Sequence, residues 1–227
     1  MVSAPKPYLL LLRRVAMLAL LVGQLSGCLG ASVAVPTEFP QPLLPKIPVQ
    51  MGLVLTDELT RYVHEETIPD YGEWSIDIGP AQQPMFTQLF AGMFDAYQRV
   101  ASSADQGGLD GVIQPTIKEV QFSIPEQTRS DYFEVWIRYE IALIDNAQAV
   151  ATLPIAAYGK ANVQNYGFAS TAPALQAAAR AACRDAMAFF AVQFMREPAV
   201  RQWLASNAAS VTPTAVPESA NNSGGSS

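Results

Sequence analysis

The segment over residues 132–160 constrains the fold most strongly, because it predicts one long β-hairpin. Every second residue from Phe133 to Leu143 is apolar, which is the period of a strand that buries one face. Asp145 and Asn146 follow and favour a tight turn, and a partner strand is predicted over residues 148–160. One face of this hairpin must therefore pack against a second layer.

Two long helical patterns can supply that layer. The first is predicted over residues 84–100, and the second begins near Ser170 and ends before Pro198, after which a short amphipathic helix follows. The residues expected to oppose the hairpin are Phe86, Phe90, Phe94, Phe190 and Phe194. Further strands are predicted over residues 49–55, 74–79 and 111–124, the last with a bulge between Ile117 and Val120. This order predicts an α+β fold, a two-layer sandwich with two helices on one face of a mostly antiparallel sheet.

The first thirty residues predict export. Arg13 and Arg14 precede an apolar run too short to span a bilayer, and the run closes on Leu25-Ser26-Gly27-Cys28. An aliphatic residue, two small residues and a cysteine resemble the lipobox of bacterial lipoproteins. That resemblance implies acylation, for example by palmitate, on Cys28, cleavage before it, and, because Leu29 follows, sorting to the periplasmic face of the outer membrane. An ordinary secretory signal that happens to contain a cysteine is the alternative.

Differences in composition divide the chain into four segments. Residues 1–27 are the predicted signal peptide, and residues 28–47 contain four prolines and are predicted to be a tether that carries the lipid. Residues 48–209 form the predicted periplasmic domain. Residues 210–227 are rich in Ser, Thr, Pro, Asn and Gly and are predicted to be disordered.

The net charge and the low numbers of cysteine and histidine exclude several classes of function. The net charge is −6, and removal of the signal takes away three of the 14 basic side chains and none of the 20 acidic ones. An acidic chain of this kind is not expected to bind nucleic acid. Two cysteines and one histidine exclude zinc sites built from several Cys and His residues. We therefore expect no cofactor, no metal and no enzymatic activity.

Isolated candidates for chemistry have ordinary explanations. His64 precedes Glu65 and Glu66 in a predicted polar loop, where a solvated surface histidine is more common than a metal or acid–base site. The glycine-containing stretch over residues 106–111 lacks the residues of a phosphate loop and predicts a turn. Cys183 lies on a helix among alanines and is predicted to pack as a small apolar residue. None of these residues is assigned a catalytic role.

The polar side of the fourth predicted strand is more suggestive. Tyr132, Trp136 and Arg138 alternate with the apolar residues, and these residue types are enriched at contact surfaces. We take these three residues as a possible interface. The competing interpretation is a solvated sheet face with charge pairs across neighbouring strands.

The overall pattern resembles the YajG-type periplasmic lipoproteins. The resemblance rests on the lipobox, on Tyr-Glu-Ile-Ala-Leu-Ile-Asp at residues 139–145, and on Ala-Val-Arg-Gln-Trp-Leu-Ala-Ser-Asn-Ala at residues 199–208. The chain departs from that pattern in its proline-rich segment and its polar tail. The family implies a noncatalytic role in the envelope and supplies no functional side chain besides Cys28.

Two function classes remain open from the sequence. The first is a structural or adaptor subunit that binds another envelope protein or assembles with itself. The second is a carrier or chaperone for a hydrophobic envelope ligand such as a lipid or glycan, held between helix and sheet.

Overall fold

The chain folds into the α+β architecture predicted from its sequence, as seen in a computed structural model that describes residues 30–169 and 171–210. The first elements are β1 (Gly30–Ala34), β2 (Ile47–Leu53), α1 (Asp57–Thr60), β3 (Val63–Ile68), β4 (Gly72–Asp77), α2 (Gly79–Met93) and β5 (Phe94–Arg99). These are followed by β6 (Gly111–Ser123), α3 (Pro125–Thr128), β7 (Tyr132–Asp145), β8 (Gln148–Asn162), a 3-10 segment (Val163–Ala169), α4 (Thr171–Arg196) and α5 (Pro198–Ser210).

The larger sheet has five strands in the order β5-β2-β6-β7-β8. The pairs β6–β7 and β7–β8 are antiparallel as predicted, and the predicted bulge lies between Ile117 and Glu119. However, β2 runs parallel to both of its neighbours, so the sheet is mixed. Parallel pairing needs a long crossover, and the chain from β3 through α2 supplies it between β2 and β5.

A second sheet, which the sequence did not predict, has three strands in the order β1-β4-β3. Its Trp74 packs against Phe122 and Phe133 of the larger sheet, with 5.8 Å between ring centroids in each case. The small sheet and the helices therefore cover the same buried face of the larger sheet. The polar stretch around His64 is strand β3 and not a loop, because its backbone pairs with β4 throughout.

The structure also differs from the predicted tether over residues 28–47. Residues 30–34 form β1 and pair with β4, and beyond them Val35 and Phe39 are 3% and 8% exposed. Proline prevents regular helix but not extended packing, and here the apolar residues between the prolines are held in the core. This part of the predicted tether is part of the folded domain.

Helix α2 begins five residues earlier than predicted and ends at Met93. Pro84 lies inside it, and Pro80 occupies the first turn, where the missing N–H costs little. Residues 94–99, predicted to continue the helix, form β5 and pair with β2. The local helical pattern is overridden because backbone pairing with β2 is available at that point.

The core lies between the larger sheet and the layer of helices and small sheet. All five aromatic residues expected to oppose the hairpin are buried, and Phe86 packs edge-on to Tyr139 with 6.2 Å between centroids. Helix α4 crosses β8 at Gly159, where an added Cβ would lie 2.2 Å from the carbonyl oxygen of Ala178. Only glycine permits this close approach of strand and helix.

Candidate functional site: the outer face of the five-stranded sheet

The outer face of the larger sheet carries the residues that the sequence selected as a possible interface. Along β7 the odd-numbered residues from Phe133 to Leu143 are buried. Tyr132 and Trp136 are 37% and 40% exposed, and the side chain of Arg138 is mostly in solvent. The predicted alternation is therefore confirmed, and the three candidates share one exposed face.

An aromatic pair forms the centre of this face. Trp136 lies opposite Tyr158 of β8, with 5.3 Å between ring centroids and 37° between ring planes. The Tyr158 hydroxyl donates a hydrogen bond to the carboxylate of Glu134, which also accepts one from Ser123 at 3.3 Å. The bond to Glu134 is the main reason that the pKa of Tyr158 rises to about 12, with burial second. The pair is thus held in a defined geometry.

Charged pairs flank the aromatic pair. Arg138 forms an ion pair with Glu119 of β6, whose carboxylate also accepts a hydrogen bond from Gln121. Next to them Lys118, at the β6 bulge, lies 3.8 Å from Glu140. Exposed pairs of this kind contribute little stability, so their main effect is to position charge across the face.

Small side chains on β8 leave a depression beside the aromatic pair. It has a volume of about 220 Å³ and is lined by residues of three strands: Glu119, Gln121, Trp136, Arg138, Ala156 and Tyr158. Farther along, the Lys160 ammonium lies over the Tyr132 ring, 5.1 Å from its centroid. The face therefore offers an aromatic wall, an open hollow and charges of both signs.

The edge of the sheet is less suited to binding than its face. The backbone N–H of Tyr158 on the edge strand β8 donates to the Asp185 carboxylate of α4 at 2.9 Å. Pro154, four residues earlier and on the same side of the strand, has no N–H to donate. Edge strands are commonly protected in this way against pairing with another strand.

His64 lies in a half-buried position on β3. Its ring packs edge-on to Phe122 at 5.8 Å, and its Nε2 is 3.4 Å from a carboxylate oxygen of Glu66. The expected solvated loop position is wrong, because pairing of β3 with β4 turns the ring toward the larger sheet. Over residues 30–169 and 171–210, no group of three or more His, Cys, Asp or Glu side chains is placed to hold a metal ion.

Cys183 is buried as predicted, and it has polar neighbours that the sequence did not indicate. The Tyr139 hydroxyl, also fully buried, donates a hydrogen bond to the Gln82 side chain at 3.1 Å, and Gln82 donates to Ile78 at 3.3 Å. Burial raises the pKa of the Cys183 thiol to about 12 and that of Tyr139 well above 10. The sequence held one indication of these polar neighbours: Tyr139 lies on the apolar face of its strand, and a buried hydroxyl requires a hydrogen-bond partner.

The glycine-containing turn joins two loops at one end of the sheet. The Gln106 side-chain amide donates to Asp145 at 2.7 Å and accepts from the backbone N–H of Asn146 at 2.6 Å. Trp203 of α5 donates to the same Asp145 at 3.2 Å. The turn therefore has a structural role. An open cavity of about 730 Å³ lies along the small sheet beside Glu65, Glu66 and Glu73.

Cys28, the predicted signal peptide and residues 211–227 of the predicted tail lie outside the described residues, whereas Ser210 is the last residue of α5. Within residues 30–169 and 171–210, no helix combines the length and apolar character that crossing a bilayer requires.

Comparisons with known proteins show distant structural likeness. No family model and no curated protein sequence matches the chain. A Xanthomonas campestris protein of the DUF330 family is 12% identical, with a TM-score of 0.43 over 73% of this chain and 98% of that one. A Caulobacter crescentus CB15 protein provisionally described as a lipoprotein is 12% identical, with a TM-score of 0.37 over 60% of this chain and 86% of that one. A Helicobacter pylori protein provisionally described as a homologue of neuraminyllactose-binding hemagglutinin is 9% identical, with a TM-score of 0.40 over 78% and 99%.

Proposed function

We propose that this chain is a lipoprotein anchored through Cys28 at the periplasmic face of the outer membrane, where it acts without catalysis as a structural or adaptor subunit. The observation that carries the adaptor role is the outer face of the five-stranded sheet, with its fixed pair of Trp136 and Tyr158. The protein partner, or a second copy of this chain, would dock on that face.

Three features support a protein partner. The Tyr158 ring, against which Trp136 packs, is held by its hydrogen bond to Glu134 before any partner arrives, so less side-chain entropy is lost on binding. The hollow beside Trp136 can receive a side chain. The ion pair of Arg138 and Glu119 lies at its rim, where charge favours orientation and specificity.

The alternative is a carrier for a lipid or glycan between helix and sheet. Contacting side chains fill that space, since Phe94 and Phe194 lie 5.5 Å apart and α4 touches β8 at Gly159. A ligand there would require the helices to separate from the sheet. Extraction of the purified protein followed by mass spectrometry tests this alternative, because a carrier retains a lipid or glycan in stoichiometric amount.

The anchor is tested with Cys28→Ser in a strain fed labelled palmitate. We expect label in the parent chain and none in the variant, which should also keep its signal peptide. Equal labelling of both chains, or no labelling of the parent, would contradict the lipoprotein proposal.

The binding face is tested by a photo-crosslinking amino acid at Ala156, inside the hollow. We expect a discrete adduct whose yield falls about fivefold or more when Trp136 is replaced by alanine, as for an interface anchor worth more than about 1 kcal/mol. The matched control places the same cross-linker at Gln83, exposed on α2. The adaptor proposal fails if the adduct forms equally at both positions or is insensitive to Trp136→Ala.

A further inference from the structure

A second exposed surface lies on the opposite side of the molecule, on helix α4. Its apolar patch consists of Leu43, Leu44, Phe189, Val192 and Met195, each between 45% and 97% exposed. A cavity of about 330 Å³ runs between this part of α4 and the segment over residues 40–44. Phe189, Val192 and Met195 follow one another at a spacing of three residues on the helix, and Leu44 lines the cavity together with Val192. Scattered exposed apolar residues are ordinary, but neighbouring ones can mark a contact surface.

Arginines lie along the helix that carries the apolar patch, and Glu197 follows directly after Arg196. Helix α2 contains no charged residue, and α4 contains three arginines and one aspartate. That aspartate, Asp185, is engaged with the edge of β8. At about 100° per residue, Arg184 lies beside the line through Ala188, Val192 and Met195, and Arg196 lies between Val192 and Phe189. A helix surface that combines exposed apolar residues with arginines suits the interface of an anionic bilayer.

The start of the folded domain places this surface with respect to the anchor. Strand β1 begins at Gly30, two residues after Cys28. The chain then follows α4, since Gln176 donates to the Ala34 carbonyl at 2.7 Å and Arg180 to the Glu38 carbonyl at 3.0 Å. From Gln176 to Val192 the helix extends by about 24 Å. The lipid anchor is thus attached near the N-terminal end of α4, and the apolar patch lies toward the C-terminal end of the same helix.

We propose that the apolar patch of α4 rests on the membrane surface as a second, noncovalent contact, taking phospholipid headgroups and the adjoining acyl region. The proposal rests on the lipid anchor of the proposed function, which keeps the domain next to the bilayer and raises the local concentration of lipid. The helical layer then faces the membrane. The outer face of the five-stranded sheet faces away from it, toward the periplasm, where a partner has access.

The experiment uses the mature lipidated chain in nanodiscs that contain about 30% phosphatidylglycerol and one protein each. An environment-sensitive fluorophore is attached to Val192→Cys. Thr152→Cys, exposed on the outer sheet face, is the matched control. Cys183 does not compete for the label because it is buried. We expect blue-shifted emission and quenching by spin-labelled lipid at position 192 only, and weaker quenching in discs of neutral lipid or with Arg184→Glu.

Three outcomes would overturn the proposal, and they separate it from the proposed function. A water-exposed label at position 192 on a protein that remains in the disc refutes the membrane contact and leaves the anchor intact. A protein that does not co-purify with the discs refutes the anchor itself. Shielding that appears only with two proteins per disc identifies a second copy of the chain as the occupant.

Discussion

Replacing Ile137 by alanine tests whether the two faces of β7 differ as the structure shows. Ile137 is 1% exposed and belongs to the core under the helical layer. The change removes three carbon atoms, which costs about 2.4 kcal/mol at ~0.8 kcal/mol per buried methylene. An incompletely collapsed cavity of roughly 50 Å³ adds about 1.2 kcal/mol at ~24 cal/mol per Å³. We therefore expect a loss of about 3.5 kcal/mol in the free energy of unfolding.

Replacing Trp136 by alanine, on the neighbouring position and opposite face, is the matched comparison. Trp136 is 40% exposed and its contact within the fold is the tilted ring of Tyr158. The ring pair contributes about 0.5–1.5 kcal/mol beyond the apolar area that it buries, and truncation at this solvent-facing position leaves no enclosed cavity. Trp136→Ala should thus be much less destabilising than Ile137→Ala, although it removes a larger side chain.

Calorimetry or circular dichroism of both variants measures the difference. For a domain of this size ~1 kcal/mol corresponds to about 2–4 °C in Tm, so we expect Ile137→Ala to lower Tm by about 7–14 °C and Trp136→Ala to lower it by clearly less. If the two variants melt together, the assignment of inner and outer faces is refuted. If Trp136→Ala melts normally and also associates normally, the interface proposal is refuted while the fold stands.

Three further predictions concern packing and titration. Gly159→Ala should lower stability by at least about 2 kcal/mol, measured by urea unfolding, because its Cβ would overlap the backbone of α4 at Ala178; an unchanged midpoint would contradict the close approach. Because the pKa of Tyr158 is raised from 10.0 to about 12, its stabilising effect is complete below pH 10 and is lost as the pH rises through 12. Glu134→Gln should therefore let one additional tyrosine ionise near pH 10 in a phenolate absorbance titration, and identical titration curves would exclude the hydrogen bond as the cause. The thiol of Cys183, with its pKa raised to about 12 by burial, should react with a disulfide reagent only after unfolding; rapid reaction in the native protein would show that α4 opens.

The long elements of the fold could be predicted because their patterns are local. The hairpin of β7 and β8 has a period of two from Phe133 to Leu143, and its turn, at Asn146 and Ala147, lies one residue beyond the predicted Asp145 and Asn146, after a register shift at Ile144. The buried face of α4 follows from helical spacing in the same way. The same alternation placed Tyr132, Trp136 and Arg138 together on the outer face.

The small sheet depended on partners far away in the chain. Strand β1 is five residues long and pairs with β4, more than forty residues later. No pattern within residues 30–39 distinguishes such a strand from a proline-rich tether. Residues 94–99 have the spacing of a helix, and they become β5 because β2 offers backbone hydrogen bonds at that place.

The sequence by itself therefore determined the α+β class, the hairpin and the residues of the outer sheet face, because periodicity acts over a few neighbouring positions. Only the tertiary structure decided the second sheet, the parallel pairing of β2 and the partners of each exposed side chain. Tyr158 and Glu134 are distant in sequence and meet only through the register of β7 and β8. Strand β1 has the same origin, since long-range backbone pairing with β4 makes residues 30–34 of the predicted tether part of the folded domain.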